Sequence, residues 1–318
     1  MKGIVVASLL GMSSAMAQAA PVESFVEAPG PLGPLKGTML APERKGAPVV
    51  LILPGSGPID RDGNSAYGIK AATYRLLAEG LAARGIASVR IDKRGIGASA
   101  GAVTDGNAVT IEDYVADTKA WVNAIRTKTG ASCIWLLGHS EGGLVALDAS
   151  RTVSDVCGLL LVSAPGRPAA AVLREQFHGN PANAPALADA DRAIDSLAAG
   201  RTIDVSALHP ALQGVFAPAT QGLLISIMAL DPAKLASADK GPMLVVQGER
   251  DLQVSVADAQ ALKQAHPTAK LVLLPDVNHV LKTVTTDARN VNYAAYADPS
   301  LALAPGVVDA IASFVTAR

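Results

Sequence analysis

The run Cys133-Ile134-Trp135-Leu136-Leu137-Gly138-His139-Ser140-Glu141-Gly142-Gly143 carries the decision about this chain. Five apolar residues of strand length lead into Gly-x-Ser-x-Gly, and a helix-compatible stretch continues to Ser150. A strand that breaks into a helix around such a pentapeptide is the sequence form of a nucleophile elbow. A serine on so tight a turn is strained, and neighbours without a Cβ let strand and helix approach closely. The serine hydroxyl then projects at the carboxyl edge of a sheet, over the positive end of the following helix.

A hydroxyl needs a base to take its proton, and the base needs a carboxylate to orient it. The chain has five histidines. His279 ends Leu271-Val272-Leu273-Leu274-Pro275-Asp276-Val277-Asn278-His279, a strand-like run passing into a loop. Asp251 follows Met243-Leu244-Val245-Val246-Gln247-Gly248-Glu249-Arg250 in the same way. Both therefore fall just beyond strand carboxyl ends, where an open α/β sheet places its site. Asp276 is a weaker alternative to Asp251, because three positions from His279 is a poor place from which to stand behind its ring. His139 reads as an elbow packing residue pointing away from Ser140, His266 as a helix C-terminal cation, and His178 and His209 as loop residues.

Three stretches carry a resemblance: Leu53-Pro54-Gly55-Ser56-Gly57-Pro58-Ile59-Asp60-Arg61-Asp62-Gly63-Asn64, Asp92-Lys93-Arg94-Gly95-Ile96-Gly97-Ala98-Ser99, and the elbow itself. With the order Ser, Asp, His, they resemble the α/β-hydrolase superfamily. The likeness is to exported bacterial hydrolases near the serine aminopeptidase and monoacylglycerol-lipase group. It runs from about residue 35 to the C-terminus and departs from the His-Gly start common in lipases, having Pro54-Gly55. It implies a mostly parallel central sheet flanked by helices, with a helical lid inserted at about 165–240. It also implies acyl transfer in which two backbone N–H groups hold the oxyanion. Glu141, following the serine, supplies one. Pro54 has no N–H, so Ser56 is the choice for the other, with Gly57 next. Asp60, Arg61 and Asp62 read as loop-bracing ion pairs and Asx turns, and Asp92, Arg94 and Gly95 as a turn-bracing network.

Composition agrees with a single large domain. Of 318 residues 50% are hydrophobic and 17% charged, with a formal net charge of −1. No basic run interleaved with aromatics points to nucleic acid. No metal-spaced Cys/His cluster or phosphate-cradling glycine fingerprint is present, so no cofactor is expected. Lys2, the apolar stretch Gly3 to Met12, and small-x-small sites near Ala15 to Ala19 read as a leader of residues 1–19. About ten apolar residues are too few to span a bilayer, so export without a stable membrane anchor is expected. In an oxidising compartment Cys133 and Cys157, at the starts of two successive strands, could pair; free buried thiols are equally open.

The alternation of strand-length apolar runs with helical stretches (Tyr67 to Arg84, Thr110 to Lys128, Val254 to His266, Gly306 to Thr316) predicts a parallel sheet covered on both faces. The Ala/Pro-rich stretch from about Pro165 to Lys240 breaks it, with helical pieces near Ala186–Ala199 and Pro218–Leu230. Part of it is expected to pack on the sheet and part to roof an acyl pocket, and Thr283 to Pro299 to form another wall. The reading is a serine hydrolase on small esters of short to medium acyl length. An exopeptidase drawing on Glu175, Asp191 or Asp195 for the substrate ammonium, a thioesterase or acyltransferase, and a catalytically silent binding protein remain open. Oligomeric state is not legible.

Overall fold

The computed structural model describes residues 20–286 and 288–317; the expected leader lies outside the described residues. Eight strands form one sheet: β1 (Val22–Ala28), β2 (Leu35–Ala41), β3 (Val49–Leu53), β4 (Ala87–Ile91), β5 (Ile134–His139), β6 (Val156–Val162), β7 (Met243–Gly248) and β8 (Lys270–Leu274). Their order is β1-β2-β4-β3-β5-β6-β7-β8. From β4 to β8 every neighbouring pair is parallel. The residues of β3, β4, β5 and β7 are buried throughout, as continuous apolar runs covered on both faces should be.

Only β1 and β2 run antiparallel to their neighbours, and neither was foreseen. Val22-Glu23-Ser24-Phe25-Val26-Glu27-Ala28 mixes charge into its run, and β2 holds Lys36, Gly37 and Thr38. Their strand character comes from pairing, β2 with β4 and β1 with β2, rather than from an apolar pattern of their own.

Helices cover both faces. On one side α2 (Ile111–Thr129), α3 (Glu141–Ala149) and α9 (Val256–Ala265) bury Trp121, Ile125, Leu147 and Leu262 against Leu51, Leu136 and Val245. On the other, α1 (Thr73–Ala82) and α11 (Val307–Thr316) bury Leu77, Leu81, Ile311 and Phe314 against Ile52, Leu137 and Leu160. The bounds of α2 follow from local chemistry. Thr110 and Asp113 form a reciprocal capping box at its start, and Gly130 in the left-handed region ends it.

Between β6 and β7 the chain forms α4 (Ala169–His178), α5 (Leu187–Ala198), the short α6 (Pro210–Gln213), α7 (Gln221–Met228) and α8 (Pro232–Ala238). This insert carries its own small core of Ala190, Ile194, Leu197, Phe216 and Met228. The expected pieces at Ala186–Ala199 and Pro218–Leu230 correspond to α5 and α7, whereas α4 and α8 were not foreseen. A last short helix, α10 (Arg289–Ala294), lies between β8 and α11.

Cys133 and Cys157 form a disulfide with their Cα atoms 5.1 Å apart, resolving the alternative left open by the sequence. It joins the entrances of β5 and β6, so it lies at the sheet edge opposite Ser140.

Candidate active site

Ser140 sits between β5 and α3 with φ 54° and ψ −124°, a conformation costing a non-glycine residue on the order of 1–3 kcal/mol. The glycines around it make that turn possible. A Cβ on Gly138 would lie 2.2 Å from the Gly142 carbonyl oxygen, one on Gly142 2.2 Å from the Leu53 oxygen, and one on Gly143 2.4 Å from the Ala164 Cβ. Backbone therefore packs on backbone at Gly138 and Gly142 and on the Ala164 methyl at Gly143, and Ser140 is held at the head of α3. Its amide donates to the Val162 carbonyl at 3.0 Å.

Asp251 and His279 follow β7 and β8, beyond β6 in the sheet. The turn after β7 packs on the loop after β8 because Gly248 lacks a Cβ: one there would lie 2.2 Å from the Val277 oxygen. The Arg250 amide bonds that same carbonyl at 3.0 Å. In the histidine loop the Asn278 side-chain oxygen accepts from the Lys282 amide at 2.9 Å. His279 Nδ1 then meets Asp251 Oδ2 at 2.8 Å. The other Asp251 oxygen accepts from the Gln253 and Val254 amides at 2.8 and 3.0 Å. Burial opposes ionisation of this carboxyl, but the His279 charge and hydrogen bond and the two amides outweigh it, holding its pKa below the usual carboxylate range. Among the described residues His279 Nε2 and Ser140 Oγ have no hydrogen-bond partner. Asp276 stands apart from this pair, its carboxylate 3.7 Å from the Arg250 side chain.

His139 does more than pack. Its Nε2 donates to the His279 carbonyl at 2.8 Å and its Nδ1 accepts from the Tyr74 hydroxyl at 3.0 Å; this assignment is the neutral tautomer consistent with both partners. The two imidazole centroids are 4.9 Å apart. Burial and then the neighbouring His279 drive the His139 pKa down to about 3, so it stays neutral as a fixed strut beneath the His279 backbone. Of the other histidines, His178 ends α4 beside Asp191, His209 caps α6, and His266 caps α9.

The loop after β3 faces the elbow from the other side. The Gly55 amide is occupied by the Tyr74 hydroxyl at 2.9 Å. Among the described residues, those of Ser56 and Glu141 donate to no protein acceptor. A Cβ on Gly55 would lie 3.1 Å from Ser140 Cβ, so a side chain there would crowd the elbow. Asp60 Oδ1 accepts from the Asp62 and Asn64 amides at 2.9 Å each, and Arg61 binds Asp92 with a shortest contact of 2.6 Å. Asp62 pairs with Arg90. Arg94 is tied to Asp117 and Asp113 at 2.6 and 2.8 Å. These charges are consumed in holding the loops after β3 and β4 together.

A cavity of about 160 Å³ opens beside Ser140, lined by Ser56, Glu141 and Leu144 below and by Val172, Leu224 and Met228 of the insert above. Among the described residues none lining it comes from 283–299, so those described do not form the second wall expected there. Sequence reasoning missed Lys93, which lies buried beneath the Ser56 loop, and the strut formed by Tyr74 and His139. Lys93 carried a faint signal, a lysine inside a glycine-rich turn otherwise full of paired charges.

The family described as serine aminopeptidase, S33, matches residues 66–283. The esterase EstD of Thermotoga maritima is 26% identical over 265 residues, covering 81% of this chain and 61% of that protein. The chain thus spans about three fifths of that relative's length. Among solved structures, the Pyrococcus furiosus esterase Pf2001 superposes with a TM-score of 0.58 at 17% identity, covering 99% of this chain and 96% of the other. A thermophilic esterase from Thermogutta terrifontis does so with a TM-score of 0.54 at 20% identity, covering 94% and 99%. At these identities the likeness is one of fold. With an eight-stranded sheet, an elbow serine at its carboxyl edge and a family match over most of its length, the chain belongs to the S33 serine aminopeptidase family of α/β hydrolases.

Proposed function

We propose that the protein is a serine hydrolase of small carboxylic esters. Ser140 Oγ attacks the substrate carbonyl while His279 Nε2 takes its proton. Asp251 holds Nδ1–H and stabilises the imidazolium that forms. The backbone N–H groups of Ser56 and Glu141 receive the oxyanion. The imidazolium returns its proton to the departing alcohol, leaving an acyl-Ser140, and a water activated by His279 releases the acid. The observation carrying this reading is the strained Ser140 at the head of α3, with the bonded His279–Asp251 pair resting on its neighbour His139.

The cavity supports an ester with a short acyl group. The insert supports the role of its roof, since α4 and α7 supply the apolar wall. An exopeptidase would need a free acid for the substrate ammonium. Glu175 is 2.7 Å from Arg167, and Asp191 and Asp195 are both bound by Arg174. The acids available to the sequence reading are thus committed to cations. The related esterase EstD agrees with the ester reading. Export through the leader-like N-terminus belongs to the same proposal and is supported by the disulfide; amino-terminal sequencing of protein recovered from the producing cells tests it.

The experiment is intact mass after fluorophosphonate treatment, followed by p-nitrophenyl esters of increasing chain length. One adduct on Ser140 and rapid turnover of acetate to hexanoate esters are expected, with Ser140→Ala losing both. Full hydrolysis by the Ala variant would overturn the mechanism.

A further inference from the structure

Lys93 is 6% exposed, beneath the active-site loop. Its Nζ donates to the Gly55 carbonyl at 2.7 Å and stands 3.5 Å from Glu141 Oε1. The other Glu141 oxygen accepts from Ser56 Oγ at 2.8 Å. The contacts close a ring: Lys93, the Gly55–Ser56 peptide, the Ser56 hydroxyl, the Glu141 carboxylate and back to Lys93. That ring contains both residues whose amides are to receive the oxyanion.

One covalent fact gives it meaning. The carbonyl that Lys93 holds belongs to the same peptide unit as the Ser56 N–H. A trans peptide is planar, so its C=O and N–H point in opposite directions. Fixing the Gly55 oxygen therefore aims the Ser56 N–H the other way, out of the turn. A cation on that oxygen also polarises the unit and makes its N–H a stronger donor. At Glu141 the amide is aimed by α3, but the side chain places a carboxylate next to a forming oxyanion. Lys93 offsets that charge, and Ser56 Oγ takes up one of its oxygens. No other described cation reaches Glu141 within ion-pair distance.

We propose that Lys93 is a positioning residue for the oxyanion site, acting through the Gly55–Ser56 peptide, with Glu141 and Ser56 Oγ as the clamp that sets the spacing of the two donors. The proposal rests on Ser140 being the nucleophile. A clamp of this kind serves the tetrahedral state rather than the bound ester, so its loss should fall on kcat and spare KM.

The test compares Lys93→Met, Lys93→Arg, Ser56→Ala and Ser56→Thr with the wild type on p-nitrophenyl butyrate. A second readout is the Kd of an alkyl trifluoromethyl ketone, which forms a tetrahedral adduct on a reactive serine. Ser56 is exposed, so its variants keep the fold even where Lys93→Met does not. Ser56→Ala and Lys93→Met are expected to lower kcat about 10–100-fold and weaken the ketone by a similar factor, with KM within about threefold. Lys93→Arg and Ser56→Thr, which keep the donor groups, should recover most of the loss. If kcat and ketone affinity of folded Ser56→Ala and Lys93→Met stay within twofold of the wild type, or if the loss lies in KM alone, the proposal is wrong. Fluorophosphonate labelling of wild-type Ser140 separates that result from failure of the underlying reading: an unlabelled wild type removes the reading and the proposal with it.

Discussion

At the scale of single residues, the site depends on what stands behind the His279 ring. Asp251 is fully buried beside it, with both carboxylate oxygens occupied by donors. Replacing it with Asn keeps the shape but can present an N–H to Nδ1, which turns the imidazole into the wrong tautomer. Asp251→Asn is therefore expected to lower kcat about 10³–10⁴-fold with little change in KM. Asp276→Asn should stay within about twofold of the wild type, since that carboxylate lies toward Arg250 and apart from the His279 ring. Steady-state kinetics on one short ester distinguishes the two acids. Equal losses in both variants would mean that Asp251 does not orient the histidine.

At the scale of elements, the insert decides which ester fits. Leu224, Ile227 and Met228 of α7 line the cavity, and Met228 also belongs to the insert's own core. Leu224 is the position to enlarge, because it lines the cavity without being fully buried. Leu224→Trp is expected to lower the hexanoate-to-acetate ratio of kcat/KM about tenfold, in the range that pocket volume ordinarily controls. An unchanged ratio would place the acyl group elsewhere. The insert was also the part least legible in the sequence. The parallel strands β3, β5, β6 and β7 announce themselves as mainly apolar runs, β4 less so with Ser88 and Arg90 inside it, and Ser140, Asp251 and His279 could be sought at strand ends because a parallel sheet gathers those ends on one edge. The helices α4 and α8 lie in an Ala/Pro-rich stretch with divided loyalties: Leu173 and Phe177 of α4 pack on the insert's own core, whereas Leu235 and Ala236 of α8 join the main core, so no single period pointed to a known surface. The strands β1 and β2 were hidden for a related reason, since β2 is placed by its pairing with the distant β4 and β1 by its pairing with β2. Lys93 and the Tyr74–His139 strut belong to the same class: each contact joins loops 38 to 140 residues apart, and spacing along the chain carries no trace of it.

At the scale of the whole molecule, the disulfide ties the sheet at one edge, while the opposite edge is held by buried polar contacts that respond to pH. His139 is the most exacting of these. Its two nitrogens are committed to Tyr74 and to the His279 carbonyl, with the His279 ring and the Asp251 carboxylate close by. Its pKa is about 3 in the fold against about 6.5 in the unfolded chain. Below pH 6.5 the unfolded state takes up a proton that the folded state refuses. Stability is therefore lost as pH falls from about 6.5 towards 3, by up to roughly 1.4 kcal/mol per pH unit for one proton. Asp251 has the opposite kind of shift: its contribution is present above the unfolded carboxylate pKa near 3.9 and is lost only below it. The interval from pH 6.5 to 4.5 thus separates the histidine from Asp251. Urea unfolding of the wild type at pH 7, 5.5 and 4.5 should show falling stability. His139→Gln, which keeps a donor and an acceptor but cannot be protonated there, should start less stable at pH 7 and lose less on acidification. Because the other four histidines are common to both proteins, the difference between the two pH slopes belongs to position 139. Parallel slopes would mean that protonation of His139 does not govern how the site edge opens in acid.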